Sequence, residues 1–259
     1  MVMRTLAGVS NESFLGKLVR LPLRLIPRGW VVTVKGGINK GASWIVGAST
    51  HGCWLGSYEA DKQELVARLV RPGMTVWDLG ANAGFYTLAF ARLAGVSGRV
   101  YAFEPLAENV ANLLAHIRLN EVGNATVIQA ALGRTSGLSA FRTAASNSMG
   151  RVSREETGYL VPSISMDDFL ESHPGARPDL IKIDVEGAES EVLAGGQRFL
   201  QQAAPEIVLA THGEQQGKAC AEILTSFGYS LFRLDGAAVT AAASRTDEIH
   251  ARKVVGRQS

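Results

Sequence analysis

At 259 residues the chain has room for one large α/β domain with an extension, and is cramped for two domains of about 150 residues each. Hydrophobic residues make up 46% and charged residues 19%, which excludes the low-hydrophobicity, high-charge class of disordered chains. A net charge of +2 gives no overall basic footprint for nucleic acid, and Cys53 and Cys220, with no CxxC pair or metal-ligand spacing, point to a reducing compartment.

Lys17, Arg20, Arg24 and Arg28 interrupt what a secretory signal would keep apolar, and the uncharged stretch 41–58 is too rich in Gly, Ser and Thr to span a membrane. A cytoplasmic protein is expected. Residues 14–28 place their basic side chains on one helical face and Phe14, Leu15, Leu18, Leu21 and Leu25 on another, a basic amphipathic segment that suits weak membrane-surface contact or packing on the core. A small β-hairpin follows over Trp30–Lys35 and Ser43–Val46, and a helix over Glu59–Val70 that Pro72-Gly73 ends. Strand and helix then alternate: strand Met74–Leu79, helix Gly84–Leu93, strand Arg99–Phe103, helix Leu106–Asn120, and strands near Thr126–Gln129, Leu180–Ile183, Ile207–Ala210 and Tyr229–Leu234, the last pairing antiparallel. This alternation predicts a doubly wound, mostly parallel α/β sheet with helices on both faces. The predicted organisation is an amino-terminal helix and hairpin cap over 1–57, one domain over 58–244, and a frayed polar tail over 245–259.

The chemistry gathers at strand ends. Val76-Trp-Asp-Leu-Gly-Ala-Asn-Ala-Gly84 is an apolar strand running into a small-residue turn and a helix, the crevice where a nucleotide-like ligand sits in open α/β sheets. Asn82 stands where a G-x-G-x-x-G fingerprint needs bare backbone, so a nicotinamide-dependent oxidoreductase is disfavoured. Asp78, just before the turn, suits a ligand with a cationic end. Glu104, in Phe103-Glu104-Pro105 at the next strand end and twenty residues beyond Gly84, can accept both hydroxyls of a ribose. The strand Asp179–Ile183 delivers Asp184, Glu186 and Glu189 to the same edge; Glu189 reads as a helix-start acid, whereas Asp184 faces the pocket.

Strand, Asp-x-Gly-x-x-x-Gly turn, helix, strand and terminal Glu resemble class I S-adenosylmethionine-dependent methyltransferases. With Ser165-Met-Asp-Asp-Phe169 and Asp184-Val-Glu-Gly-Ala-Glu189 the resemblance narrows to the FkbM family, over roughly Tyr58 to Leu234. It implies a Rossmann-like seven-stranded fold, S-adenosylmethionine as donor, and transfer to a hydroxyl oxygen of a sugar, glycolipid or polyketide-like secondary metabolite. On the matching positions Asp78, Gly80, Asn82, Gly84, Phe103, Glu104 and Asp184 hold the donor, with Glu59 and Tyr58 closing over its methionine end. Members usually carry Glu-Ile-His at the end of the fifth strand; this chain reads Ala210-Thr211-His212 and keeps only the imidazole.

Methyl transfer to an alcohol needs the acceptor oxygen held in line and help with its proton. His212, Asp184 and Glu186 are the candidate catalytic residues, His212 or Asp184 as base. A divalent cation on these three is chemically allowed but not expected, because the ligand set is small and Glu186 can point away. Asn147 and Ser148 are candidates for the acceptor pocket. The expected partner is a small hydroxylated molecule and not a nucleic acid. Competing readings are nitrogen methylation, and a catalytically silent binding protein that uses the basic amino-terminal segment to meet a membrane or partner.

Overall fold

A computed structural model describes residues 26–143, 150–152, 159–239 and 248–253. The basic amphipathic segment lies outside these residues except for its last three, and Asn147 and Ser148 lie outside them entirely.

In chain order the elements are β1 (Val31–Thr33), β2 (Ser43–Ile45), α1 (His51–Leu55), α2 (Ala60–Leu69), β3 (Thr75–Leu79), α3 (Phe85–Ala94), β4 (Arg99–Phe103), α4 (Ala107–Leu119) and β5 (Ala125–Ile128). Then follow β6 (Ala131–Leu132), β7 (Gly137–Thr143), β8 (Gly150–Val152), β9 (Tyr159–Ile164), α5 (Met166–Ser172), β10 (Leu180–Ile183), α6 (Glu189–Ala194) and α7 (Gln197–Gln202). β11 (Glu206–Ala210), α8 (Glu214–Ser226), β12 (Tyr229–Phe232), β13 (Ala238–Val239) and β14 (Glu248–Lys253) complete the described chain.

The central sheet has the order β13-β12-β14-β11-β10-β3-β4-β5. From β11 to β5 every neighbour is parallel, while β14 is inserted antiparallel between β11 and β12. The fold is the expected Rossmann-like doubly wound sheet, with the two-residue β13 as an eighth strand at its edge. The tail expected from Arg245 is corrected here. Residues 248–253 form β14, whose Ile249 and Ala251 are buried beside β11 and whose carboxylate-bearing Glu248 reaches the site described below. A second sheet, β6-β9-β7-β8, was not expected, because its outward Leu138 and Leu160 blur the alternation.

Strand alternation sorts the buried side chains onto two faces. Trp77, Leu79, Ile181 and Ile183 pack with α5, α7 and α8 on one face, while Val76, Leu180 and Val100 pack with α2, α3 and the hairpin on the other. Asp78 and Lys182 sit directly across from each other in the β3–β10 register and fall on this second face. The hairpin cap is fastened by His116, a fully buried core histidine. Its Nδ1 donates to the Ala83 carbonyl at 2.7 Å, its Nε2 accepts from the Ile45 amide at 2.9 Å, and the ring stacks on Trp44 at 3.9 Å. Both nitrogens are thereby used by a neutral ring, and burial holds its pKa below the ordinary value. The Ser165–Phe169 segment is also structural: Ser165 Oγ caps α5 by accepting from the Asp168 amide, and Asp167 accepts from the first amides of α7.

Candidate functional site

Two cavities meet at the carboxyl ends of β3, β4, β10 and β11. The first is bounded by the Gly80–Ala83 turn, Phe103 and Glu104 on one side, and by Asp184, Val185 and Glu186 on the other, with Trp44, Thr50 and Tyr58 from the cap above. The second is polar and is bounded by Glu59, Lys62, His212, Arg233 and Glu248. Tyr58, Asp184 and Glu186 border both.

The turn of the first cavity is built by close backbone approach. Gly80 has φ +79°, and a Cβ there would run into the carbonyl of Asp184, so the turn lies against the end of β10 only because position 80 is glycine. Glu104 fastens the turn from the side. Its Oε2 accepts from the Asn82 amide at 2.8 Å, and its Oε1 accepts from the Leu106 amide at 2.9 Å and from Asn109 Nδ2 at 3.2 Å. Burial raises the Glu104 pKa, and these donors work against that rise. Oε1 thus accepts twice, while Oε2 accepts once and keeps a second lone pair.

The predicted donor residues divide. Gly80, Asn82, Phe103, Glu104 and Asp184 line the first cavity as expected. Asp78 does not, and its assignment is corrected. It is fully buried on the sheet face below the turn, where Oδ2 accepts from Thr87 Oγ1 at 2.6 Å and Oδ1 lies 3.2 Å from Lys182 Nζ. The group with a cationic partner is Asp78, but that partner is Lys182, its cross-strand neighbour. Gly84 is likewise beneath the surface, packed where a Cβ would meet Leu113 of α4. Glu59 borders the second cavity only; it accepts from Tyr86 Oη at 2.9 Å and pairs with Lys62 Nζ at 2.9 Å.

Asp184, Glu186 and His212 do come together. His212 Nε2 lies 3.3 Å from Glu186 Oε2 and 3.8 Å from Asp184 Oδ1, so Glu186 points into the cluster. His212 Nδ1 is 2.8 Å from Oε1 of Glu189, a fully buried residue. That hydrogen bond is the first cause of a raised His212 pKa; burial opposes it, and the charges of Glu189, Glu186 and Asp184 add to it. Reading Glu189 as a helix-start acid captured its position at the head of α6 and missed its partner. The carboxylate hydrogen-bonded to the imidazole is therefore that of Glu189.

Two buried lysines complete the site and were not anticipated. Lys62 of α2 lies 2.7 Å from Glu248, 2.9 Å from Glu59 and 3.8 Å from Asp184. Lys182 pairs with Asp78, lies 3.8 Å from Asp184 Oδ2 and donates to the Gly80 carbonyl at 2.9 Å. Burial opposes the Lys182 charge, and Asp78 and Asp184 outweigh it, leaving its pKa above the ordinary value. Tyr86 presents its ring to both ammonium groups, at 5.8 and 5.6 Å. Of the four non-glycine residues with left-handed backbone among those described, Glu59, Asn82 and Glu186 all border the cavities, strain of the kind that concentrates at functional sites.

The first cavity is lined by two carboxylates, Glu104 and Asp184, and by apolar Leu106 and Leu132, a donor set that fits a molecule carrying a ribose diol and an ammonium group. The chain is 30% identical over 145 residues to the hexuronic acid methyltransferase AglP of Haloferax volcanii, a match covering 55% of this chain and 58% of that protein. It is similar in fold to the crystal structure of methyltransferase FkbM from Methylobacillus flagellatus KT, with a TM-score of 0.51 and 16% identity over 79% of this chain and 55% of the other. The chain therefore spans little more than half the length of these relatives. Residues 78–233 match the model of the methyltransferase FkbM domain, and the chain belongs to the FkbM methyltransferase family.

Proposed function

We propose that the chain transfers a methyl group from S-adenosylmethionine to a hydroxyl oxygen of a sugar-like small molecule. The observation that carries this reading is the junction of the two cavities at Asp184 and Glu186, one cavity suited to the donor and the other polar. Bound in the first cavity, the donor supplies an electrophilic methyl carbon on a sulfonium. Glu104 accepts its ribose hydroxyls, and Asp184, steadied by Lys62 and Lys182, accepts from its ammonium group. The acceptor enters the second cavity, where Glu186 and His212 receive its hydroxyl and help release the proton. Oxygen is favoured over nitrogen because these groups converge beside the carboxylate common to both cavities, and the name of the Haloferax relative supports a sugar acid or related sugar as acceptor.

The test is calorimetric titration with S-adenosylmethionine and its demethylated product, followed by incubation with hexuronates, neutral hexoses, glycolipids and hydroxylated polyketides and a search for products heavier by one methylene. Micromolar donor binding and a methylated sugar are expected. Methylation of amino sugars alone would move the reading to nitrogen, and donor binding without turnover on any acceptor would favour the silent binding protein. Glu104→Ala is expected to weaken donor binding by about 1.5 to 3 kcal/mol, roughly 10- to 150-fold. Unchanged affinity in that variant would remove Glu104 from the donor site.

We propose a cytoplasmic location for the reaction, with membrane contact through residues 14–28 as a separate proposal that sedimentation with anionic vesicles at low salt tests. Among the described residues no helix is long and apolar enough to cross a membrane.

A further inference from the structure

A carboxylate oxygen only accepts, so the 2.8 Å contact between His212 Nδ1 and Glu189 Oε1 places a ring proton on Nδ1. The Glu189 carboxylate is itself held by the Gly187 amide at 2.7 Å and is fully buried, so it fixes the ring rather than following it. The opposite ring nitrogen, Nε2, faces Glu186 Oε2 and Asp184 Oδ1. One ligand atom from each of the three residues lies within 4.8 Å of the other two. Two carboxylates and an imidazole nitrogen this close are drawn together either by a proton on Nε2 or by a cation among them.

The charge around the cluster argues in the same direction. Among the described residues Asp78, Asp184, Glu59 and Glu248 share the ammonium groups of Lys62 and Lys182, and Glu186 and Glu189 stand against His212 as two further carboxylates. Both lysines approach Asp184 through Oδ2, leaving Oδ1 turned to the cluster. A proton on Nε2 cancels one negative charge, whereas a divalent cation cancels two and engages all three atoms. Two carboxylate oxygens with one imidazole suit magnesium or manganese, and a buried carboxylate behind the imidazole is the usual outer partner of a metal-binding histidine. Of the two sequence arguments against an ion, a small ligand set and a Glu186 that could point away, the second is answered: Glu186 points in.

We propose that Asp184, Glu186 and His212 hold a divalent cation of the magnesium or manganese class at the junction of the two cavities, with its open positions facing the polar cavity and taking hydroxyl oxygens of the acceptor. The binding of the ion stands on this geometry alone; the role given to its open positions rests on the methyl-transfer reading.

The experiment is manganese titration of the full chain, stripped with a chelator, followed by the loss of the free-ion electron paramagnetic resonance signal, with and without S-adenosylhomocysteine. One manganese per chain, displaced by excess magnesium, is expected. His212→Ala and Glu186→Gln should each weaken it at least tenfold. Glu189→Gln, which keeps all three ligands and alters only the group behind the imidazole, should weaken it about 10- to 100-fold. Circular dichroism reports folding of all three variants, and S-adenosylhomocysteine binding does so for His212→Ala and Glu189→Gln, since neither His212 nor Glu189 lines the donor cavity, whereas Glu186 does. Wild-type protein without saturable manganese binding in either condition overturns the proposal, as does a His212→Ala variant that binds manganese like wild type. S-adenosylhomocysteine binding without manganese sinks the ion and leaves the methyl-transfer reading standing. Manganese binding without S-adenosylhomocysteine supports the ion and sinks the donor site.

Discussion

His212→Ala is expected to lower kcat for methyl transfer by about 10²- to 10⁴-fold while leaving the affinity for S-adenosylmethionine within about twofold of wild type. The separation follows from where the imidazole stands. It borders the polar cavity and not the donor cavity, and it faces the two carboxylates at which the cavities join. Its loss also takes a donor from the buried Glu189 carboxylate, whose Oε2 already has no hydrogen-bond partner among the described residues. A stability cost of about 1.5 to 3 kcal/mol therefore accompanies the substitution. His212→Asn, which keeps a donor toward Glu189, should recover much of that stability and none of the turnover. Single-turnover rates measured by product mass, beside donor titrations on the same preparations, check both halves. Wild-type turnover in either variant would take His212 out of the chemistry.

The parts of the site legible in the sequence are those announced by local pattern. Phe103-Glu104-Pro105 ends an apolar strand, and the carboxylate does line the first cavity; Asp184, Glu186 and His212 follow two adjacent parallel strands and do meet. Asp78 was misplaced because β3 is buried on both faces, so Val-Trp-Asp-Leu carries no polar alternation to say which way each side chain points. The clue lay in β10, where Lys182 interrupts Leu-Ile-Lys-Ile and only a buried acid opposite it makes such a lysine tolerable. Lys62 and Glu248 were beyond reach for a different reason. Their contact joins α2 to the last described strand, far along the chain, and Glu-Ile-His-Ala-Arg-Lys offers only two alternating apolar residues, Ile249 and Ala251, too few to announce a strand until it is seen inserted between β11 and β12. Glu189 illustrates a third case, in which a residue's local role at a helix start is correct and conceals a long-range one.

Lys182→Met is expected to destabilise the fold by about 3 to 5 kcal/mol, because it removes one partner of a buried ion pair and leaves the other charge uncompensated. Asp78 is fully buried, and without the ammonium group it keeps only the Thr87 hydroxyl at 2.6 Å. For a domain of this size the loss corresponds to a melting temperature lower by on the order of 10 °C. Asp78→Asn in the same chain removes the stranded charge while still accepting from Thr87, so the double variant should regain much of the stability, and the coupling energy from the full cycle measures the pair itself. Donor binding should not return with it. Lys182 also donates to the Gly80 carbonyl at 2.9 Å and stands 3.8 Å from Asp184, so it holds the turn and the carboxylate of the donor cavity together. Urea unfolding and donor titration on the four chains of the cycle should therefore separate, with stability restored in the double variant and affinity still reduced. If affinity returns along with stability, Lys182 acts on the site only by keeping the protein folded.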